Sequence, residues 1–132
     1  ITCTTPWMVI MIIGLVVRRG FYCPDDLQVF TRGEQGGRYW FSHGWNWRGL
    51  GAWIPSAAVG LCFVNLPGQF VGPLGELAGG IDISLLVTLG LASVMYLMLL
   101  SLFPEPALVY GPKDPRSKGA HAPAEAALRQ AA

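Results

Sequence analysis

Charged side chains are scarce in this chain. Asp, Glu, Lys and Arg make up 13% of its 132 residues, about half of the share that a soluble domain usually holds. Apolar residues make up 52%, and they are gathered in long blocks. A soluble helical domain would show polar faces at helical period in those blocks, and the last block shows little beyond Ser93, Tyr96 and Ser101. The composition therefore argues against a soluble fold.

Basic residues are too few and too scattered for a nucleic-acid-binding protein. The nine Lys and Arg residues are spread over loops and tail without forming a stripe, and the net charge is only +1. A nucleic-acid interface needs a basic patch that follows the phosphate backbone. We therefore exclude nucleic acid as a partner.

Metal-ligand spacing is missing as well. Cys3, Cys23 and Cys62 lie 20 and 39 residues apart and form no C-x-x-C pair. The two histidines, His43 and His121, have no ligand spacing relative to them. The sequence predicts no metal site, and we interpret the cysteines as inert, apolar thiols.

Catalytic constellations are equally absent. The carboxylates fall in loops or at the edges of the apolar blocks, and no ionisable residue lies deep inside a block. No segment favours a strand, so a phosphate-binding loop after a strand is excluded too. We predict no catalytic residue and no enzymatic activity.

What the chain does contain is three apolar segments, residues 1–19, 49–67 and 83–104. The third has 22 uncharged residues in a row and ends at Pro104, and the second is interrupted by Pro55 and Pro67. About 20 apolar residues in a helix cross a hydrocarbon core of ~30 Å. The sequence therefore predicts an all-α membrane fold with three transmembrane helices.

The remaining segments are predicted to be a connector, a loop and a tail. Residues 20–48 form a polar connector with a possible short surface helix at Pro24-Asp25-Asp26-Leu27, where Pro and acidic residues suit a first turn. Residues 68–82 form a loop. Residues 105–132 are rich in Pro and Ala with few large apolar side chains, so we predict a disordered tail.

Orientation follows from the positive-inside rule. The loop 68–82 has no basic residue, so we predict that it is external, whereas the connector and the C-terminal tail are cytoplasmic. We expect a multi-pass protein of the plasma (inner) membrane. The basic residues that decide the orientation are Arg18, Arg19, Arg32, Arg38 and Arg48 before the second span and Lys113, Arg116, Lys118 and Arg129 in the tail.

Small residues recur at four-residue spacing in the last two spans. Such stripes let two helices approach closely, and we favour this packing interpretation over a substrate-lining face. The stripes are Ala52, Ser56 and Gly60 in the second span and Ser84, Thr88 and Ala92 in the third.

Asp82 stands immediately before the third span. A carboxylate there can cap the free N–H groups of a helix and complement its dipole. The alternative is a cation ligand, which would need several converging oxygens. We favour the cap.

Several short motifs together resemble the C-terminal part of the nucleobase:cation symporters. This family contains the permeases for cytosine, purines, uracil, thiamine, allantoin and hydantoins. The resemblance covers residues 1–104 and depends on the order and spacing of the motifs. They are Trp7-Met8-Val9-Ile10-Met11-Ile12 leading to Val17-Arg18-Arg19-Gly20, then Asp25-Asp26-Leu27, Trp45-Asn46-Trp47-Arg48-Gly49, Asn65-Leu66-Pro67-Gly68 and Gly80-Ile81-Asp82-Ile83-Ser84.

The resemblance implies a twelve-helix fold with two inverted repeats of five helices, in which the three spans would be helices ten to twelve. The cation site and the nucleobase pocket of the family lie on earlier helices, so no substrate-binding residue is assigned here. The fragment itself would bind no cofactor, and Na+ or H+ would be the coupling ion of the full-length parent. The implied partners are the lipid bilayer, the remaining helices of the parent and a nucleobase-like substrate.

Two alternatives remain open. The chain begins at Ile1 and is apolar almost at once, so we expect it to be the tail of a longer protein. One alternative to a transporter part is an inactive gene fragment. The other alternative is a small accessory membrane subunit that packs on a partner through its small-residue faces. A start codon close upstream of Ile1 would favour the accessory subunit or the gene fragment.

Overall fold

The computed structural model describes residues 2–117 and 119. Its helices are α1 (Thr4–Val17), α2 (Pro24–Leu27), α3 (Val29–Arg32), α4 (Trp47–Cys62) and α5 (Ser84–Leu102). Helices α1 and α5 lie inside the first and third predicted apolar segments, whereas α4 begins two residues before the second segment, at Trp47. In this part of the chain, α5 alone is long and apolar enough to cross a membrane, judged by length and composition, and α1 is apolar but shorter.

The end of α1 is a Schellman motif built on an unusual residue. The Arg19 N–H donates to the carbonyl of Val16 at 3.0 Å, and the Gly20 N–H donates to that of Leu15 at 2.9 Å. These two bonds satisfy carbonyls that the helix leaves free. Arg19 has a φ of 53° and Gly20 one of 73°. Glycine is usual at the first left-handed position because a β-carbon is disfavoured there, and here an arginine occupies it.

The connector contains the predicted short helix. Pro24 opens α2, and Asp25 and Asp26 stand in its first turn, where Pro has no N–H to lose and carboxylates complement the dipole. Arg38 returns to this turn and pairs with Asp26 at 3.1 Å. The backbone N–H of Cys23 donates to the Tyr39 hydroxyl at 3.1 Å. These contacts connect the start of α2 to residues 38 and 39.

Helix α4 differs in its bounds from the predicted second span, residues 49–67. The Asn46 side chain accepts a hydrogen bond from the Gly49 N–H at 3.2 Å and caps α4, but the helix ends at Cys62 and does not reach residue 67. Beyond it, Asn65–Leu66 (β1) pairs antiparallel with Phe70–Val71 (β2). The expectation that no strand forms was therefore wrong.

Glycine explains why the chain turns back after α4. The Gly72 N–H donates to the carbonyl of Val64 at 2.8 Å, and a β-carbon on Gly72 would overlap with the Cys62 carbonyl. The Asn65 side-chain amide donates to the Gly75 carbonyl at 3.1 Å. This compact turn uses Asn-Leu-Pro-Gly in a hairpin, whereas the sequence predicted that the second transmembrane segment would extend to residue 67.

The prediction that Asp82 is the N-cap of α5 was wrong by one residue, since Ile83 is the N-cap and makes no side-chain cap hydrogen bond. Asp82 still satisfies one free N–H at the start of the helix. Its carboxylate accepts a hydrogen bond from the Ser84 N–H at 2.9 Å. Hydrogen bonds from Ser84 lower the pKa of Asp82, so the carboxylate stays ionised. Among residues 2–117, no group of three or more His, Cys, Asp or Glu comes together that could hold a metal ion.

The segment after α5 differs from the predicted disordered tail in its first part. Ala107–Val109 and Pro115–Ser117 form 3-10 helices, and Val109 is fully buried. The Ser117 hydroxyl donates to the Gly111 carbonyl at 2.6 Å. Local hydrogen bonds and a few buried side chains order this stretch, which composition alone did not indicate. Residue 118 and residues 120–132 of the predicted tail lie outside the described residues.

The chain divides into two compact units. The first comprises the residues up to Gly14 together with Asn46–Pro104. The second comprises Leu15–Trp45 and the described residues from Glu105 onward. Helix α1 contributes to both units, since its last residues, Leu15 to Val17, belong to the second.

Candidate functional site

Helices α4 and α5 pack against each other through the two predicted stripes of small residues. We name this contact the small-residue seam. Its members are buried, and Ala52, Ser56, Thr88 and Ala92 have an exposed fraction of 0%. The set is Ala52, Ser56 and Gly60 of α4 with Ser84, Thr88 and Ala92 of α5. The prediction that these stripes pack helices is confirmed.

The hydroxyl groups on the seam are used within their own helices. Ser56 Oγ donates to the Ala52 carbonyl at 2.6 Å, and Thr88 Oγ1 donates to the Ser84 carbonyl at 2.6 Å. Back-bonding of this kind satisfies a buried hydroxyl without a partner helix. In the described part of the chain, no buried side-chain N or O atom lacks a hydrogen-bond partner. The seam therefore offers no polar group to a substrate.

Hydrogen bonds at the helix ends support the same unit. The Trp53 indole N–H donates to the Cys3 carbonyl at 2.8 Å and links α4 to the residues before α1. The Arg48 guanidinium donates to the Phe103 carbonyl and, at 2.9 Å, to the Pro104 carbonyl. A cation at these free carbonyls complements the C-terminal end of the α5 dipole. Arg48 thereby fixes the start of α4 beside the end of α5.

A buried ion pair organises the second unit. Arg18 faces Glu105 in a two-pronged arrangement, with Nη2 at 2.5 Å from Oε1 and Nε at 3.0 Å from Oε2. The side chains are 8% and 1% exposed, respectively. Such parallel bonds match the planar guanidinium to the carboxylate. Removing one partner would leave a buried charge without its counter-charge, which is strongly destabilising. The pair therefore holds the end of α1 and the segment after α5 together.

Two tyrosines complete the surroundings of Arg18. Its guanidinium carbon lies 5.3 Å from the Tyr22 ring centre and 5.7 Å from the Tyr39 ring centre, within the range of cation–π attraction. The Tyr22 hydroxyl accepts a hydrogen bond from Arg18 Nη1 at 3.0 Å. Burial raises the pKa of Tyr39, so that phenol stays neutral. The cluster holds the charge of Arg18 in place.

A second carboxylate is held close by. Asp114 Oδ1 accepts hydrogen bonds from Arg116 Nε at 3.0 Å and from the Arg116 N–H at 2.9 Å. These bonds bring the pKa of Asp114 to about 2. Arg116 also lies 4.1 Å from the Tyr110 ring centre and donates to the Val17 carbonyl at 2.7 Å. The arginine therefore ties the segment after α5 to the end of α1.

The residues examined for chemistry stay apart. His43 is exposed in the connector, inside the 3-10 helix Ser42–Gly44, with a φ of 60°. The cysteines Cys3, Cys23 and Cys62 are free thiols. His121 lies outside the described residues. Among the described residues, the structure brings no group of three or more His, Cys, Asp or Glu side chains together that could hold a metal ion.

Sequence reasoning missed the Arg18–Glu105 pair. The partners are 87 positions apart, and no spacing rule connects residues at such a distance. One signal was present: Arg18 directly follows an apolar helix and Glu105 stands between two prolines after another. A lone charge at such a place needs a partner when it is buried, but the sequence does not say which one.

The chain matches the model of a known protein family. The family described as permeases for cytosine/purines, uracil, thiamine and allantoin matches residues 2–88. The matched range contains α1, α4, the hairpin and the first turn of α5. No curated protein and no solved structure matches the chain.

Proposed function

The chain belongs to the family of permeases for cytosine/purines, uracil, thiamine and allantoin, and on this premise we propose that it is the C-terminal part of a secondary active transporter. This transporter imports a nucleobase or a related ring compound together with Na+ or H+. The family is one of membrane transport proteins and not a class of enzymes. The observation that carries the proposal is the match over residues 2–88.

Three membrane crossings are part of the proposal. Helix α5 meets the length and composition of a span. Its outward side chains are apolar and largely exposed, with Leu86 at 70%, Val94 at 63% and Leu102 at 64%. On α1 the same holds for Trp7 at 60% and Val16 at 68%. Surfaces of this kind are unfavourable in water and suit acyl chains or further helices.

The proposed role of this part is support beside the binding site. Secondary carriers bind substrate near the membrane midplane, where repeats meet and helices are broken. The hydroxyls of Ser56 and Thr88 instead donate to their own helices and are fully buried. We therefore assign the helix pair a packing role and expect the isolated chain to carry no transport activity.

The packing of α4 on α5 does not favour the accessory-subunit alternative. That alternative required the small-residue faces of α4 and α5 to receive a partner, but these faces cover each other along the seam. Only the outer, large apolar side chains remain for other proteins or for lipid. The seam thus favours an internal packing role over docking.

The coding DNA upstream of Ile1 tests the proposal. We expect an open frame that encodes further hydrophobic spans, with the first repeats that hold the substrate site. A start codon within a few residues of Ile1 would overturn the assignment to a larger transporter. The accessory subunit or the gene fragment would then be the favoured interpretation.

A further inference from the structure

A cleft of about 360 Å³ lies within the second unit and has no part in the function proposed above. One wall is formed by residues 18–21, which follow α1, and the other by residues 111–114. The Phe21 ring packs so closely on the opposite wall that a β-carbon on Gly111 would lie 3.0 Å from it. The cleft therefore joins an aromatic surface to a group of charged side chains.

The charge around this cleft is unbalanced. Three basic side chains line it, Arg18, Arg19 and Lys113, with one carboxylate, Asp114. Glu105 is paired with Arg18, and Asp114 accepts its shortest bonds from Arg116. The excess positive charge rests on Arg19 and Lys113. The Arg19 side chain is 71% exposed, and its nearest carboxylate oxygen, on Asp114, is 3.8 Å away.

The backbone at Arg19 supports a role for its guanidinium. Arg19 has a left-handed φ of 53° at the position where a Schellman motif usually has glycine. This conformation is unfavourable for a residue with a β-carbon. An arginine therefore stands in the chain at a place where glycine would give the more stable turn, and its side chain lines the cleft.

The surface next to the cleft identifies the ligand. Leu15 and Val16, in the last turn of α1, are 45% and 68% exposed, and they lead directly to the basic residues. An anionic phospholipid has the matching pattern, with acyl chains beside an apolar helix and a phosphate at its end. Basic residues next to a membrane helix attract such headgroups. A soluble anion would gain nothing from the apolar side chains.

We propose that this cleft binds the headgroup of an anionic phospholipid, with Arg19 and Lys113 contacting the phosphate and the last turn of α1 contacting the acyl chains. Asp114 does not prevent this, because its charge is already matched by Arg116. The site would fix the end of α1 at the membrane surface. The proposal requires membrane insertion and is independent of which compound is transported.

The test uses the 132-residue chain in nanodiscs of phosphatidylcholine with and without phosphatidylglycerol, and native mass spectrometry counts the lipids retained. Phosphatidylglycerol should be retained in preference to phosphatidylcholine. Arg19→Gly and Lys113→Gln should each weaken this preference about fivefold, as expected for one charge at a membrane surface. Arg19→Gly also relieves the unfavourable backbone, so a lost preference would not reflect a lost fold.

Arg32→Gln is the matched control, because Arg32 is a basic residue of the same connector whose guanidinium donates to Gln28. It should leave the preference unchanged. Equal retention of the two lipids, or an equal loss in Arg32→Gln, would overturn the proposal. Displacement of phosphatidylglycerol by inorganic phosphate would also overturn it, since the cleft would then be a site for a soluble anion.

Discussion

Gly60 of α4 lies so close to Thr88 of α5 that a β-carbon at position 60 would overlap the threonine Oγ1 atom. The same β-carbon would lie 2.8 Å from Thr2 Cγ2. The missing side chain therefore sets how closely the two helices approach along the seam. Close approach is the source of stability between membrane helices, because lipid is as apolar as the residues that pack.

Gly60→Ala should accordingly weaken the helix pair. Overpacking a well-filled contact destabilises by about 1–3 kcal/mol, and the free energy of unfolding in mixed detergent micelles measures it. Gly90→Ala is the matched control, since no atom lies within 4 Å of the β-carbon position there. The double variant Gly60→Ala/Thr88→Ala should recover part of the loss. If the two glycine variants unfold alike, the seam does not determine the packing.

The Arg18–Glu105 pair leads to a second prediction. Glu105→Gln leaves the guanidinium buried without its counter-charge, and breaking a buried pair in this way costs about 3–5 kcal/mol. Hydrogen–deuterium exchange should become faster at residues 105–117, and the change in exchange rate should be smaller elsewhere.

The double variant Arg18→Met/Glu105→Leu is the control for that experiment, because it removes both charges and keeps the site filled. It should restore much of the protection at residues 105–117. Equal exchange in Glu105→Gln and the unchanged chain would show that the pair does not hold this segment.

Acid should loosen the segment around Asp114. Its pKa is about 2 in the folded chain, against about 3.9 in an unfolded one. A carboxylate with a lowered pKa stabilises the folded form above the unfolded value, and this stabilisation is lost as the pH falls through the folded value. The loss should therefore run from about pH 4 down to about pH 2.

Carbon-13 NMR of the Asp114 carboxyl measures this titration directly. Arg116→Gln removes the side-chain hydrogen bonds that are the main cause of the low pKa, so the pKa should rise toward its ordinary value. Arg32→Gln should not shift it. A midpoint near 4 in the unchanged chain would contradict the contacts between Asp114 and Arg116.

Orientation in the membrane can be tested by thiol labelling. In a chain whose native cysteines are replaced by serine, Leu77→Cys places a thiol in the loop between α4 and α5, where Leu77 is 73% exposed. An impermeant maleimide should label it in intact cells. Arg32→Cys, in the connector, should be labelled only after the membrane is opened. The reverse pattern would invert the topology that the basic residues predict.

The long helices were predictable because their signal is local. Apolar runs between charges and prolines indicated the three helices, and four-residue spacing indicated the seam, since i and i+4 share a helix face. The hydrogen bond between Asp82 and the first N–H of α5 was predictable for the same reason, although the N-cap itself is Ile83. In each case the partners lie within a few residues or obey one helical period.

The remaining features depend on contacts that local patterns do not encode. The turn at Gly72 forms because its backbone returns to Val64 and Cys62, and this ends α4 earlier than its apolar composition suggests. Glu105 orders the segment after α5 through Arg18, far away in the chain. Three crossings of a membrane and the identity of the substrate remain predictions, since both depend on contacts with lipid or with other helices.

Uptake into proteoliposomes tests most directly the claim that this chain is an inactive part of a larger transporter. The 132-residue chain and the product of the complete reading frame are reconstituted side by side, and entry of labelled cytosine, uracil, hypoxanthine and allantoin is measured with and without a cation gradient. The account predicts gradient-driven uptake of at least one ring compound by the complete product and none by the chain alone. Uptake by the isolated chain, or no uptake of any compound by the complete product, would contradict it.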